Sequence, residues 1–396
     1  MVEELISRYQ GSEHIKKLRE TVSGDTAAVF LLEGLAGGQD AFILSGLFLQ
    51  GKAPQLFIAE HKEQAAYYYN TLETLLGDQA TFFPDSFKRP GNFEEINQGN
   101  VQLRTEIAGK LGVAYPQPFI IVSYPEALFE KVVKPDMVDA MKIRIEKGEP
   151  LDVETMIELM VSYDFKREEY VYEPGQFSIR GGIIDVFNFA NEWPYRIELV
   201  DDEVESIRMF DPVTQLSVRS IEKLTIIPNV NSRFSSRDKV SLLEILPQNT
   251  VIWVKHPESL TDTLVDCFEK VSLLETRLTD PLDDLSLFFR ERAFILPNEL
   301  INRLKDFTTL IHGNTAGLDI LIKEKIVFSG KVQTHFNRNF KLLIEDLETL
   351  TEKDYSTYLW VGNDKQIKRF KQVFEDLKAR IEYTPVPLTI HEGFID

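Results

Sequence analysis

Ala28-Val29-Phe30-Leu31-Leu32-Glu33-Gly34-Leu35-Ala36-Gly37-Gly38-Gln39-Asp40-Ala41 is the stretch on which the fold turns. The apolar run reads as a buried strand, the glycines as a tight turn, and Asp40 to about Leu49 as the helix it opens. Outward from it the alternation repeats. Gln55-Leu56-Phe57-Ile58-Ala59 is followed by a helix from His61 to Leu76. A short strand from Ala80 to Phe83 runs into the Pro84-Asp85 turn. A polar helix from about Asn97 to Leu111 leads to Phe119-Ile120-Ile121-Val122. Strands and helices alternating at this spacing predict βαβ units and a parallel sheet.

A glycine-rich turn between strand and helix is where a phosphate-binding loop belongs. That chemistry needs a lysine for the β- and γ-phosphates and a Ser or Thr hydroxyl for magnesium. Here the two places hold Asp40 and Ala41. At an effective dielectric of 20, a unit-charge contact at about 4 Å is worth on the order of 4 kcal/mol, so changing its sign is a large swing. Ala41 offers a metal no oxygen. The loop of Gly34, Gly37, Gly38, Asp40 and Ala41 is therefore expected to be degenerate and to bind no ATP. The strand Val251-Ile252-Trp253-Val254 ends in Lys255-His256, where a nucleotide-hydrolysing protein would carry its acids.

Beyond about Pro135 the period changes. Val153, Met156, Ile157, Met160 and Val161 mark an amphipathic helix. Then Phe177–Arg180, Ile183–Phe187, Tyr195–Val200 and Val204–Phe210 alternate with period two, which predicts an antiparallel meander. From Ile221 α/β character is expected to return, with strands at Leu224–Ile227 and Val251–Val254. A last unit holds the strand Tyr358–Val361 and the helix Asp364–Lys378.

The 396 residues carry a formal net charge of -19, which argues against a broad, sequence-independent grip on DNA. The single cysteine, Cys267, excludes an internal disulfide framework and a multi-thiolate zinc site, and six scattered histidines make a metal enzyme a poor reading. The N-terminus lacks a signal-peptide pattern. The apolar region Ala27–Leu49, broken by Glu33, Asp40 and glycines, does not read as a membrane span. A cytoplasmic protein is expected. Tyr67-Tyr68-Tyr69 reads as part core, part surface, and Lys365, Lys368, Arg369 and Lys371 as a solvated helix side. The ending Gly393-Phe394-Ile395-Asp396 reads as that of a fragment of a longer protein.

Two long runs are similar to a known bacterial family. Glu173-Pro174-Gly175-Gln176-Phe177-Ser178-Ile179-Arg180-Gly181-Gly182-Ile183-Ile184-Asp185-Val186-Phe187 and Trp193-Pro194-Tyr195-Arg196-Ile197-Glu198-Leu199-Val200-Asp201-Asp202-Glu203-Val204-Glu205-Ser206-Ile207-Arg208 resemble the N-terminal part of the transcription-repair coupling factor (Mfd). Its first domains are similar to the excision-repair protein UvrB. Phe82–Phe87, Pro212–Gln215 and His391–Phe394 fit the same pattern. UvrB itself keeps the loop lysine and a long aromatic hairpin, for which Phe87–Asn100 is too short and too polar. The resemblance implies a P-loop-derived, RecA-like parallel-sheet body split in two (1–136 and 221–330). It also implies an inserted UvrA-binding α+β domain with an antiparallel sheet (137–220) and a small α/β domain (331–396). RNA polymerase, DNA, ATP and magnesium would engage parts of such a protein outside this chain.

The resemblance further implies that UvrA is met by Arg180, Arg196 and the residue at Val200, where the family has an aromatic. Strand alternation groups Arg196, Glu198 and Val200 on one face, with Tyr195, Ile197 and Leu199 on the other. From pattern alone the favoured reading is that the two arginines solvate a half-exposed sheet, paired with Glu198 or Glu205; the resemblance reverses it for the arginines. The function expected is a non-catalytic recruitment module, with a helicase-like ATPase or nuclease subunit acting on DNA as the alternative.

Overall fold

The computed structural model describes residues 2–24, 27–93, 95–112, 118–189, 193–227, 238–276, 293–315, 320–386, 388–390 and 392–396. Seven strands form one parallel sheet. Their spatial order is Ile322–Val327, Val29–Glu33, Thr308–His312, Val251–Lys255, Gln55–Ile58, Ile120–Ser123 and Ala80–Phe82. Val29 to Leu32, Leu56 to Ile58, Ile120 to Val122 and Val251 to Val254 are all buried. Successive side chains of a strand point to opposite faces, so both faces of this sheet are covered. That is why its strands read as unbroken apolar runs. Two stretches of chain, 29–123 and 251–327, build the sheet, giving a body split in two.

The helix Gln39–Gly51 is buried along its length from Gln39 to Phe48. Helices Val2–Gly11 and Glu13–Val22 pack over it, the second through Ile15 and Leu18. Neither was anticipated from the sequence. The single cysteine, Cys267, is buried in the helix Pro257–Glu275, and burial pushes its thiol up to about 12, so it is inert as a nucleophile.

The stretch between the halves of the body forms a six-stranded sheet in the order Ser217–Ile221, Glu203–Phe210, Tyr195–Val200, Ile183–Phe187, Gln176–Arg180, Lys166–Arg167. All its pairings are antiparallel except the last. Phe177, Ile184, Val186, Ile197 and Ile207 line the inner face, closed by Met156 and Met160 of the helix Val153–Ser162. The return to α/β character expected at Ile221 is not what the structure has. Lys223–Ile226 pairs antiparallel with Ile143–Glu146, and Leu224 and Ile226 complete this second core. The period-two burial of Lys223-Leu224-Thr225-Ile226 is that of a strand covered on one face only, unlike the strands of the parallel sheet.

Near the C-terminal end, helices Phe340–Glu352 and Asp364–Asp376 enclose Leu343, Ile344, Leu347 and Phe374 beside a parallel pair, Tyr358–Trp360 with Thr384–Val386. Phe394–Ile395 then pairs with Lys331–Val332. Among the described residues no helix is long and apolar enough to cross a membrane.

Candidate docking face and the filled glycine loop

Register across the antiparallel sheet sets Ser178 opposite Asp185, Asp185 opposite Arg196, and Arg196 opposite Arg208, in one row on its outer face. Asp185 is fully buried and holds both arginines of interest. Arg196 donates to it through Nε (2.7 Å) and Nη2 (2.9 Å), and Arg180 through Nη2 (2.5 Å). Arg196 also reaches Gln215 and lies 4.4 Å from the centre of the Phe210 ring. Hydrogen bonds to Asp185 push the Arg196 guanidinium above its ordinary pKa. Glu198 is taken by Ser206 and Arg208, which corrects the alternative pairing of Arg180 and Arg196 with Glu198 or Glu205. The Arg180 side chain is 32% exposed against 17% for Arg196, so Arg180 is the more available to a partner. The register slips between Glu198 and Leu199, and Val200 faces Glu203 beside the Asp201-Asp202 turn, where it is 58% exposed.

The glycine loop, which the sequence reads as a degenerate phosphate site, is filled by the chain itself. Gly38 N–H donates to the carbonyl of Glu392 (3.1 Å), and the Gln39 side chain accepts from Ala36 N–H (3.2 Å). Gly34 and Gly37 adopt left-handed backbone, φ +76° and +50°. A Cβ on Gly34 would strike the Phe328 carbonyl oxygen, and one on Gly37 that of Gly393. These glycines serve close backbone approach of the chain's own later segments. Phe394 follows into a ring cluster around Phe42, with Tyr9 at 5.6 Å and Trp360 and Phe394 each at 5.5 Å. His391 lies outside the described residues.

The two anomalous charges of the sequence meet behind that loop. Lys255 Nζ lies 3.0 Å from Asp40 Oδ2, both groups nearly fully buried. Tyr68 donates to Asp40 Oδ1 (2.7 Å), Lys255 donates to the Tyr68 hydroxyl, and His312 Nδ1 lies 3.4 Å from Oδ2. Burial alone would raise the Asp40 carboxyl. The Lys255 ammonium, with His312 and Tyr68, outweighs it and holds the group down at about 2. Burial and the Asp40 charge push the Tyr68 hydroxyl up. The carboxylate that opens the helix Gln39–Gly51 and the lysine that ends the strand Val251–Lys255 neutralise each other directly. No group of three or more His, Cys, Asp or Glu able to hold a metal occurs among the described residues.

Comparison with known proteins shows what the antiparallel sheet is similar to. Residues 143–231 match the family described as "UvrB interaction domain". That match takes in the whole of the antiparallel sheet from Lys166–Arg167 to Ser217–Ile221. Relatives include UvrABC system protein B of Yersinia pestis bv. Antiqua (strain Antiqua), 24% identical over 234 residues, 55% of this chain and 34% of that protein. UvrABC system protein B of Vibrio parahaemolyticus serotype O3:K6 is 26% identical over 259 residues, 60% and 38%. The transcription-repair-coupling factor of Bacillus subtilis (strain 168) is 28% identical over 218 residues, 54% and 18%. The chain thus spans between 18% and 38% of the length of these relatives.

Within residues 143–231 the sequence reading names Arg180, Arg196 and Val200 but not Asp185, the residue that joins the first two. The signal was present. In Ile183-Ile184-Asp185-Val186-Phe187 the carboxylate is out of phase with the apolar inner residues and so belongs to the outer row. Of Tyr67-Tyr68-Tyr69, read as part core and part surface, Tyr68 is the buried one, but its bond to Asp40 spans 28 residues and left no trace in local pattern.

Proposed function

We propose that this chain is a non-catalytic recruitment module, the N-terminal part of a transcription-repair coupling factor, which binds UvrA through its UvrB interaction domain in nucleotide excision repair. The charge-exchanged pair Asp40–Lys255 carries the reading, because it replaces the lysine and acid that hold a nucleotide and its magnesium. This favours the coupling factor over UvrB. In a cytoplasmic parent protein, ATP-driven translocation on DNA and contact with RNA polymerase belong to parts other than this chain. The chain's task is docking, with Arg180 offered to a carboxylate on UvrA and Arg196 holding the row in place. Calorimetric titration with ATP and magnesium is expected to give no saturable heat up to millimolar nucleotide. Saturation in the micromolar range would replace this reading with the helicase-like ATPase.

The docking face has its own test. Arg180→Gln keeps Asp185 paired with Arg196 and is expected to weaken UvrA binding about 10- to 30-fold, the range of an interface anchor. Arg196 is the wrong residue for charge reversal. Its loss strips a fully buried carboxylate of its bidentate partner and costs about 3–5 kcal/mol of stability, so weakened binding would report unfolding. Surface plasmon resonance on immobilised UvrA, with circular dichroism confirming the fold, reads the result. Equal affinity of Arg180→Gln and the parent chain removes the site assignment.

A further inference from the structure

Tyr170 and Tyr172 stand out among the exposed large side chains because the backbone beneath them is held from several sides. They flank Val171, which is fully buried with Phe187 and Phe210 on the outer side of the antiparallel sheet. The Glu169 carbonyl accepts from Arg180 Nη1 (2.7 Å) and from the Ser178 hydroxyl (2.8 Å). The Gln176 side chain accepts from the N–H groups of Tyr172 (2.9 Å) and Glu173 (3.0 Å), and Gln215 donates to the Val171 carbonyl (3.4 Å). On this frame the two residues remain 44% and 56% exposed, their ring centres 6.5 Å apart, with the Arg180 guanidinium 4.9 Å from the centre of the Tyr170 ring. Exposed tyrosines on an ordered backbone offer large contact area at small entropic cost, the composition of binding hot spots.

Charge adds a direction. Asp185 is the one carboxylate in ion-pair contact with Arg180 or Arg196 among the described residues, and it serves both. The trio therefore keeps one positive charge uncompensated, on the side of the more exposed Arg180. We propose that Tyr170 and Tyr172 form the aromatic anchor of the docking face, seating an apolar or backbone surface of the protein partner while Arg180 takes a carboxylate beside it. This rests on the docking reading above, with UvrA as the partner.

The test is UvrA binding to the full chain carrying Tyr170→Ala and Tyr172→Ala, beside the Phe pair and Arg180→Gln, with a fluorescent single-stranded oligonucleotide titrated in parallel. The alanine pair is expected to lose 10-fold or more in affinity at unchanged circular dichroism, and the phenylalanine pair to stay within about threefold. An alanine pair that binds UvrA as tightly as the parent, while Arg180→Gln is weakened, overturns the aromatic anchor and leaves the docking reading standing. If neither alanine pair nor Arg180→Gln weakens UvrA binding, both fall. If instead the oligonucleotide binds the parent chain and is lost with the alanine pair, the tyrosines stack on bases and the protein-partner proposal is overturned.

Discussion

Replacing either Asp40 or Lys255 singly is expected to destabilise the parallel-sheet body by about 3–5 kcal/mol, whereas replacing both with apolar residues is expected to be close to neutral. Asp40→Leu leaves the Lys255 ammonium buried with the Tyr68 hydroxyl as its remaining partner here. Lys255→Met leaves a buried carboxylate facing Tyr68 and His312. In each case a charge stays in low dielectric without its counter-charge, and that desolvation is the cost. The double variant removes both charges together, so the cycle should close with a coupling energy close to the sum of the two single losses, about 6 kcal/mol or more. Hydrogen exchange of the strands Val29–Glu33 and Val251–Lys255 under mild denaturant isolates this body from the rest of the chain. Additive single and double effects would mean that the pair contributes nothing as a pair. The pH dependence has a definite sign. Asp40 is depressed to about 2 in the folded chain, against about 3.9 for a free carboxylate, so its contribution is present above about pH 4 and lost as pH falls through 2. The parent chain should lose on the order of 2 kcal/mol over that window, and Asp40→Asn should lack that loss.

The parallel sheet was legible because burial on both faces demands apolar residues at every position, and runs such as Ile120 to Val122 supply them. The inner strands of the antiparallel sheet were legible through their period of two. What escaped depends on long-range pairing. Lys223–Ile226 sits next in sequence to the body yet pairs with Ile143–Glu146, some 80 residues earlier, a choice made by the core that Leu224 and Ile226 complete. Asp40 and Lys255 were each recognised as the wrong charge in a known place, but only folding brings positions 215 residues apart to ion-pair distance. The glycine loop was read as a tight turn that had lost its ligand. That it is occupied by Glu392 and Gly393 could not be read, because a backbone-to-backbone contact leaves no side-chain signature at either end.

That occupancy makes Gly37 the most sensitive glycine of the loop. Gly37→Ala is expected to cost about 2 kcal/mol or more and to detach the segment 392–396. A non-glycine residue in left-handed backbone costs about 1–2 kcal/mol by itself. Here the added Cβ also points at the Gly393 carbonyl, a backbone atom that cannot swing aside as a flexible side chain would. Pushing Gly393 away breaks the bond from Gly38 N–H to Glu392, draws Phe394 off Phe42, and unpairs Phe394–Ile395 from Lys331–Val332. Faster amide exchange should therefore appear at Gly38 and across 392–396 together, while Ile120–Ser123 stays protected. Gly51→Ala is the control. Nothing lies within 4 Å of its added Cβ and it closes a helix, so a neutral or slightly stabilising effect is expected. Equal exchange profiles for the two variants would show that the contact with Gly393 does not matter. The same variant separates two reasons for the nucleotide silence proposed above. Detaching the segment frees the Gly38 N–H but leaves the Asp40 carboxylate in the lysine's place, so Gly37→Ala should bind ATP no better than the parent chain. A Gly37→Ala chain that does bind ATP, beside a parent chain that does not, would make occlusion by Glu392, and not the sign of the charge at Asp40, the deciding cause.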